Sequence, residues 1–114
     1  MKRALALILA LVLVICLLAA CGAMSKEELV GTWSGEWDFN GYHWNEELTL
    51  KANGTYVEKN YRDGKYYDTE TGTYELDGST LRCYENGNQG GPITKYKVSS
   101  STLKSGDIVL RKVG

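Results

Sequence analysis

The side chains here that could do chemistry are carboxylates, aromatic rings and a few lone nucleophiles, and their spacing favours binding over catalysis. Glu46 and Glu47 look like an acid pair, but neighbours on a strand point to opposite faces, so the two carboxyls cannot share one substrate. His43 is the only histidine, and it takes the polar parity of its strand, which leaves it without a metal or general-base role. The sequence holds no Ser/His/Asp set, no glycine-rich phosphate loop and no metal-spaced cluster, so no enzyme activity, metal or cofactor is expected. What remains is a set of rings, Trp37, Phe39, Tyr42, Trp44, Tyr61, Tyr66 and Tyr84, with Tyr67 beside them. Such rings can wall an apolar guest or stack on a sugar. Glu46 shares a parity with Tyr42, Trp44, Leu48 and Leu50, which points it inward as a polar contact among them. A bulge or a place at a mouth would instead leave it wet.

The elements that must position these residues are strands. Trp33, Gly35, Trp37 and Phe39 alternate with Thr32, Ser34, Glu36 and Asp38, so residues 31–39 read as a strand with one dry face. Ser25 and Glu28 stand at capping-box spacing before it, which predicts a single helical turn leading in. Asn40-Gly41, Asn53-Gly54, Asp63-Gly64, Asp77-Gly78 and Asn86-Gly87 are hairpin dipeptides. They divide the chain into strands near 31–39, 42–51, 55–61, 65–76, 79–85, 92–98, 102–105 and 107–113. The expected fold is therefore all-β, an antiparallel up-and-down meander of about eight strands closed into a small barrel. Its turns sort into two ends, and the rings named above gather at the end that carries the longest loop, residues 85–91. Two readings fit that gathering: a ligand mouth, or aromatics filling a core as they do in most strands.

Residues 1–20 read as a leader rather than as part of the fold. Lys2 and Arg3 precede an apolar run from 4 to 20 that is short for a membrane span, as in a secretory signal peptide. Leu18-Ala19-Ala20-Cys21 resembles the bacterial lipobox. The resemblance implies cleavage before Cys21, a lipid on its sulfur, and an extracytoplasmic protein held on the bacterial membrane. Residues 21–28 would then be the lipidated cysteine, a short tether and the capped turn, with the barrel domain over 29–114. Four extended residues reach only about 13–14 Å, so the domain would sit close to the bilayer. Of the three cysteines, Cys16 leaves with the leader and Cys21 is blocked, so Cys83 has no partner and reads as a small buried hydrophobe. The 13 basic residues less Lys2 and Arg3, against 14 acidic ones, leave a formal charge of −3. That mild, scattered acidity carries no nucleic-acid signature. In a bacterial lipoprotein the glycosylation spacing of Asn53-Gly54-Thr55 is simply a turn.

Leu29-Val30-Gly31-Thr32-Trp33, after a helical turn, resembles the Gly-x-Trp opening of the lipocalins and calycins. Repeats such as Asn53-Gly54-Thr55 and Asp77-Gly78-Ser79 are similar to hairpins of small bacterial lipocalin-like domains carried on lipoproteins. The resemblance implies a barrel closed by pairing of its first and last strands, with Trp33 buried at the closed end. It also implies a basic residue packed on Trp33, a place that Arg111 matches. The chain is much shorter than a full lipocalin and lacks a Thr-Asp-Tyr motif, departures that bear on the size of any cavity and not on the meander. The expected function is a membrane-anchored, non-enzymatic binding module for a small apolar or sugar-like ligand. The alternative is a structural or protein-interaction lipoprotein of the cell envelope with a filled barrel. Oligomeric state is left open by the sequence.

Overall fold

Ser25 begins the fold by capping a single turn, α1 (Lys26–Leu29). Its hydroxyl accepts from the Glu28 amide at 3.3 Å, and the Glu28 carboxylate accepts in return from the Ser25 amide. This reciprocal box satisfies two of the free amides of the turn. The computed structural model describes residues 24–87 and 90–114; the expected leader, Cys21 and residues 88–89 of the long loop lie outside the described residues.

Eight strands follow: β1 (Gly31–Phe39), β2 (Tyr42–Leu50), β3 (Thr55–Arg62), β4 (Lys65–Asp77), β5 (Thr80–Glu85), β6 (Ile93–Val98), β7 (Thr102–Ser105) and β8 (Ile108–Lys112). Every boundary falls within one residue of the position the turn dipeptides predict. Each strand pairs antiparallel with the next, and β8 returns to β1 through Trp33 opposite Lys112 and Ser34 opposite Arg111, closing the barrel. Asn40 and Gly41, like Asp63 and Gly64, hold positive φ at both positions, as the two-residue turns that tie β1 to β2 and β3 to β4 require. Closure also needs Gly35: a Cβ there would run into the Val109 carbonyl of β8, so a side chain would push the first and last strands apart.

The two halves of the barrel differ. Inward residues toward the β2–β3 turn form the core: Leu29, Trp33, Leu48, Leu50, Tyr56, Tyr74, Leu81, Val98, Leu103 and Leu110 are all buried. The Trp33 indole N–H donates to the Leu29 carbonyl at 2.9 Å, so α1 plugs this end of the barrel. Arg111 does not cover Trp33. It is exposed and stands opposite Ser34, on the outward parity. The basic residue opposite Trp33 is Lys112, whose Nζ donates to the Glu28 carbonyl at 2.9 Å. The reason is register: inward Leu110 fixes the parity of β8, and Lys112 shares it while Arg111 does not.

The strands also differ in length. β1 to β4 run 9, 9, 8 and 13 residues, whereas β5 to β8 run 6, 6, 4 and 5. One wall therefore stands well above the other at the end opposite α1, and its upper inward residues have no facing strand to pack on.

Candidate functional site

That missing packing leaves a cavity of about 380 Å³ opening at the unplugged end. Its upper wall is aromatic. Trp37 and Phe39 come from β1, Trp44 from β2, Tyr67 from β4, and Ile108 closes the low side from β8. Trp44 and Tyr67 meet edge to face with ring centroids 5.0 Å apart. The indole N–H of Trp44 is buried and has no hydrogen-bond partner among the described residues. A buried donor left open in this way marks a place where a ligand acceptor or a water belongs.

The floor is acidic. Glu46, Glu58 and Glu70 enter from three adjacent strands, with Asp68 and Asn60 above them, and Tyr96 reaches across from β6. Glu46 is 5 % exposed and Glu58 8 %. The Tyr96 hydroxyl lies 3.2 Å from one oxygen of Glu46 and 3.4 Å from an oxygen of Glu58. One phenolic proton cannot satisfy both carboxyls at once. Burial, and then a hydrogen bond with Glu46, push Glu58 up to about 8. A hydrogen bond to Glu58, and then burial, push Glu70 up to about 7. Burial and the neighbouring carboxylates also push the Tyr96 phenol far up, so it remains a donor. No ion pair to Glu46, Glu58, Asp68 or Glu70 is present among the described residues, and none of the residues lining the cavity is basic.

The structure divides the rings picked out from the sequence. Trp37, Phe39, Trp44 and Glu46 line the cavity, with Phe39 at the rim and 61 % exposed. Four others do not line it. Tyr61 and Tyr66 face each other outside, edge to face at 6.2 Å, and Tyr66 also bonds Thr69. Tyr84 is buried on the outer side, its hydroxyl donating to Glu75 at 3.2 Å. Tyr42 stacks under the Arg62 guanidinium at 4.5 Å, part of a separate surface hollow. Tyr84 is excluded by parity, since Cys83 and Leu81 take the inward positions of β5. Tyr61 is excluded by parity too, since Glu58 and Asn60 take the inward positions of β3, and Tyr66 by a β-bulge: Asn60 pairs with Asp68 but Tyr61 with Tyr66, leaving Tyr67 unpaired between them. The extra residue brings Tyr67 and Asp68 together into the cavity wall.

Glu58, Asn60, Asp68, Glu70, Thr94, Tyr96 and Ser105 complete the lining without having been picked out from the sequence. Parity held a signal for some of them, because Glu58 alternates with buried Tyr56 and Glu70 with buried Tyr74. The only histidine, His43, lies outside the cavity with Nδ1 2.9 Å from Asp38, whose hydrogen bond raises its pKa. Among the described residues no group of His, Cys, Asp or Glu is arranged to hold a metal ion.

A closed eight-stranded meander, plugged at one end by a turn under a Gly-x-Trp strand and hollow at the other, defines a small calycin-type barrel. The Lipocalin-like domain family matches residues 29–105, well over half of the chain, and the protein belongs to that family. Comparison with curated proteins and with solved structures finds no match.

Proposed function

We propose that this protein is a membrane-anchored, extracytoplasmic binding lipoprotein, without enzymatic activity, that takes a small guest with an apolar or sugar-like body into the open end of its barrel. The observation that carries the reading is the aromatic cavity of about 380 Å³. A volume of a few hundred cubic ångströms, walled by rings and floored by a few polar groups, is what small-molecule sites have in common. The unpartnered Trp44 N–H supports it, since an acceptor on the guest would complete the wall. The family match supports a binding or structural module of lipocalin-like form. The anchor is proposed from the lipobox-like Leu18-Ala19-Ala20-Cys21 alone.

Two experiments test this reading. A screen of fatty acids, small lipids and oligosaccharides against the full chain, read by tryptophan emission and thermal shift, should find a class that moves both signals. Trp44→Ala should weaken that binding and leave the fold intact, because Trp44 is only half-buried at the mouth. If no class moves either signal, the binding reading fails. For the anchor, labelled palmitate should enter the wild-type chain and not Cys21→Ala; labelling of the variant at wild-type level would refute lipidation at this cysteine.

A further inference from the structure

Acidic residues paired elsewhere on the barrel have ordinary explanations. Asp77 pairs with Arg82 at 3.1 Å, and Asp38 and Glu36 flank His43 on the wet surface. The cavity floor has none. Three glutamates from three strands converge on one volume, two of them more than nine-tenths buried, and among the described residues the one hydrogen-bond partner that reaches them from the far wall is a neutral phenol. Burying carboxylates without a cation is costly, and a fold that only needed to fill this space would use apolar residues of similar volume. Directly above them stand Trp37, Trp44 and Tyr67, and the faces of such rings attract cations, as that of Tyr67 already does with the Arg62 guanidinium 5.0 Å from its centroid. Carboxylates below and rings above are complementary to one kind of head group.

We propose that the guest of this cavity is an organic cation, an amine with an apolar body, whose ammonium group sits on Glu46, Glu58 and Glu70 while its body lies against Trp37, Trp44 and Tyr67. This deepens the binding reading above and rests on it. A bare metal ion fits less well, since it gains nothing from the rings and no group here is arranged to hold one.

Charge balance gives the proposal a pH signature. The titratable groups that line this volume are Glu46 from β2, Glu58 from β3, Asp68 and Glu70 from β4 and Tyr96 from β6; Cys83 of β5 is buried in the core near Glu46 and Glu58, and the Arg62 guanidinium of β3 lies over the Tyr67 ring. β1, β7 and β8 contribute Trp37, Phe39, Ser105 and Ile108, none of which titrates in the neutral range. Without a guest, a proton on Glu58 and a partial one on Glu70 lower the negative charge of the floor at pH 7. An arriving ammonium takes over that task, so the carboxyls ionise and protons leave to solvent. Affinity for an amine should therefore rise with pH up to about 8, and affinity for a neutral guest should not.

The test uses three probes of one shape on the full chain: 2-phenylethylamine, 2-phenylethanol and 3-phenylpropanoate, titrated by calorimetry and tryptophan emission at pH 5.5 and 8. The expected result is that the amine binds at least tenfold more tightly than the alcohol at pH 8, that this ratio shrinks at pH 5.5, and that the anion binds worst. Glu58→Gln with Glu70→Gln should bring amine and alcohol to parity. Equal binding of amine and alcohol by the wild-type protein, or preference for the alcohol or the anion, overturns the cation proposal and leaves the binding reading standing. Failure of all three probes to bind overturns the proposal. If the neutral lipids and sugars fail as well, the binding reading falls with it. The wild-type ratios decide the matter even if the double variant does not fold.

Discussion

Glu58 is where the barrel departs most from what stability alone would select. A carboxyl whose pKa rises on folding, from an ordinary 4.5 to about 8, stabilises the fold only while it keeps its proton. The folded state binds more protons than the unfolded one between those values, so stability falls as pH rises through that window. Its share is complete below about pH 4.5 and gone above about 8. Glu70, raised to about 7, acts in the same direction over a narrower range. The expected outcome is that urea unfolding gives a less stable wild-type protein at pH 8 than at pH 5, and that Glu58→Gln removes most of the difference. His43 also has a raised pKa and contributes a slope of the same sign, so the comparison is between the slopes of variant and wild type. Equal slopes would show that Glu58 is solvated in solution.

At the scale of the elements, closure depends on how β1 meets β8 and α1. Trp33 is fully buried and bonded to the Leu29 carbonyl, so Trp33→Ala removes a large core ring and orphans an acceptor. The expected loss is about 3–5 kcal/mol, as for other large core truncations. Arg111→Ala, on the outer face of the same strand pair, should change stability by less than about 0.5 kcal/mol. Denaturant titration of both variants checks this assignment, and an Arg111 loss rivalling that of Trp33 would overturn it. These elements were legible in the chain because each hairpin carries its own signal: Asn40-Gly41 and Asp63-Gly64 name the turn, and alternation names the dry face. What alternation could not give was phase beyond an irregularity. The bulge at Tyr67 resets the parity at the start of β4, leaving Tyr66 outside and bringing half-exposed Tyr67 to the cavity rim, whereas Tyr61 lies outside by plain alternation in β3. Arg111 and Lys112 are a smaller case, because one residue of register separates outside from inside. The carboxylate floor was the least legible part. Glu58 and Glu70 stand on the two strands of one hairpin, but the bulge's shift of register sets them directly opposite, and Tyr96 joins them from β6, far along the chain.

For the whole molecule, the contrast between a packed half and a hollow half gives the barrel a direction. The chain enters through α1, at the packed end, and Leu29 and Trp33 seal it there. If Cys21 carries the lipid, three residues separate the anchor from Ser25, so the sealed end is the one held against the bilayer. β1 climbs nine residues from that end to the rim, on the order of 25 Å at about 3.3 Å per residue. The opening then looks away from the lipid, beyond the reach of acyl chains. In vesicles carrying the lipidated protein, a nitroxide fixed in the acyl region should leave the emission of Trp37 and Trp44 almost unchanged, whereas aqueous acrylamide should quench it; strong nitroxide quenching would reverse the orientation. A vessel mounted upright on its base cannot skim cargo from the surface it stands on. Anchored in that way and binding as proposed, it would sample what diffuses past in the surrounding water, a receiver for dissolved molecules and not a carrier drawing on the membrane.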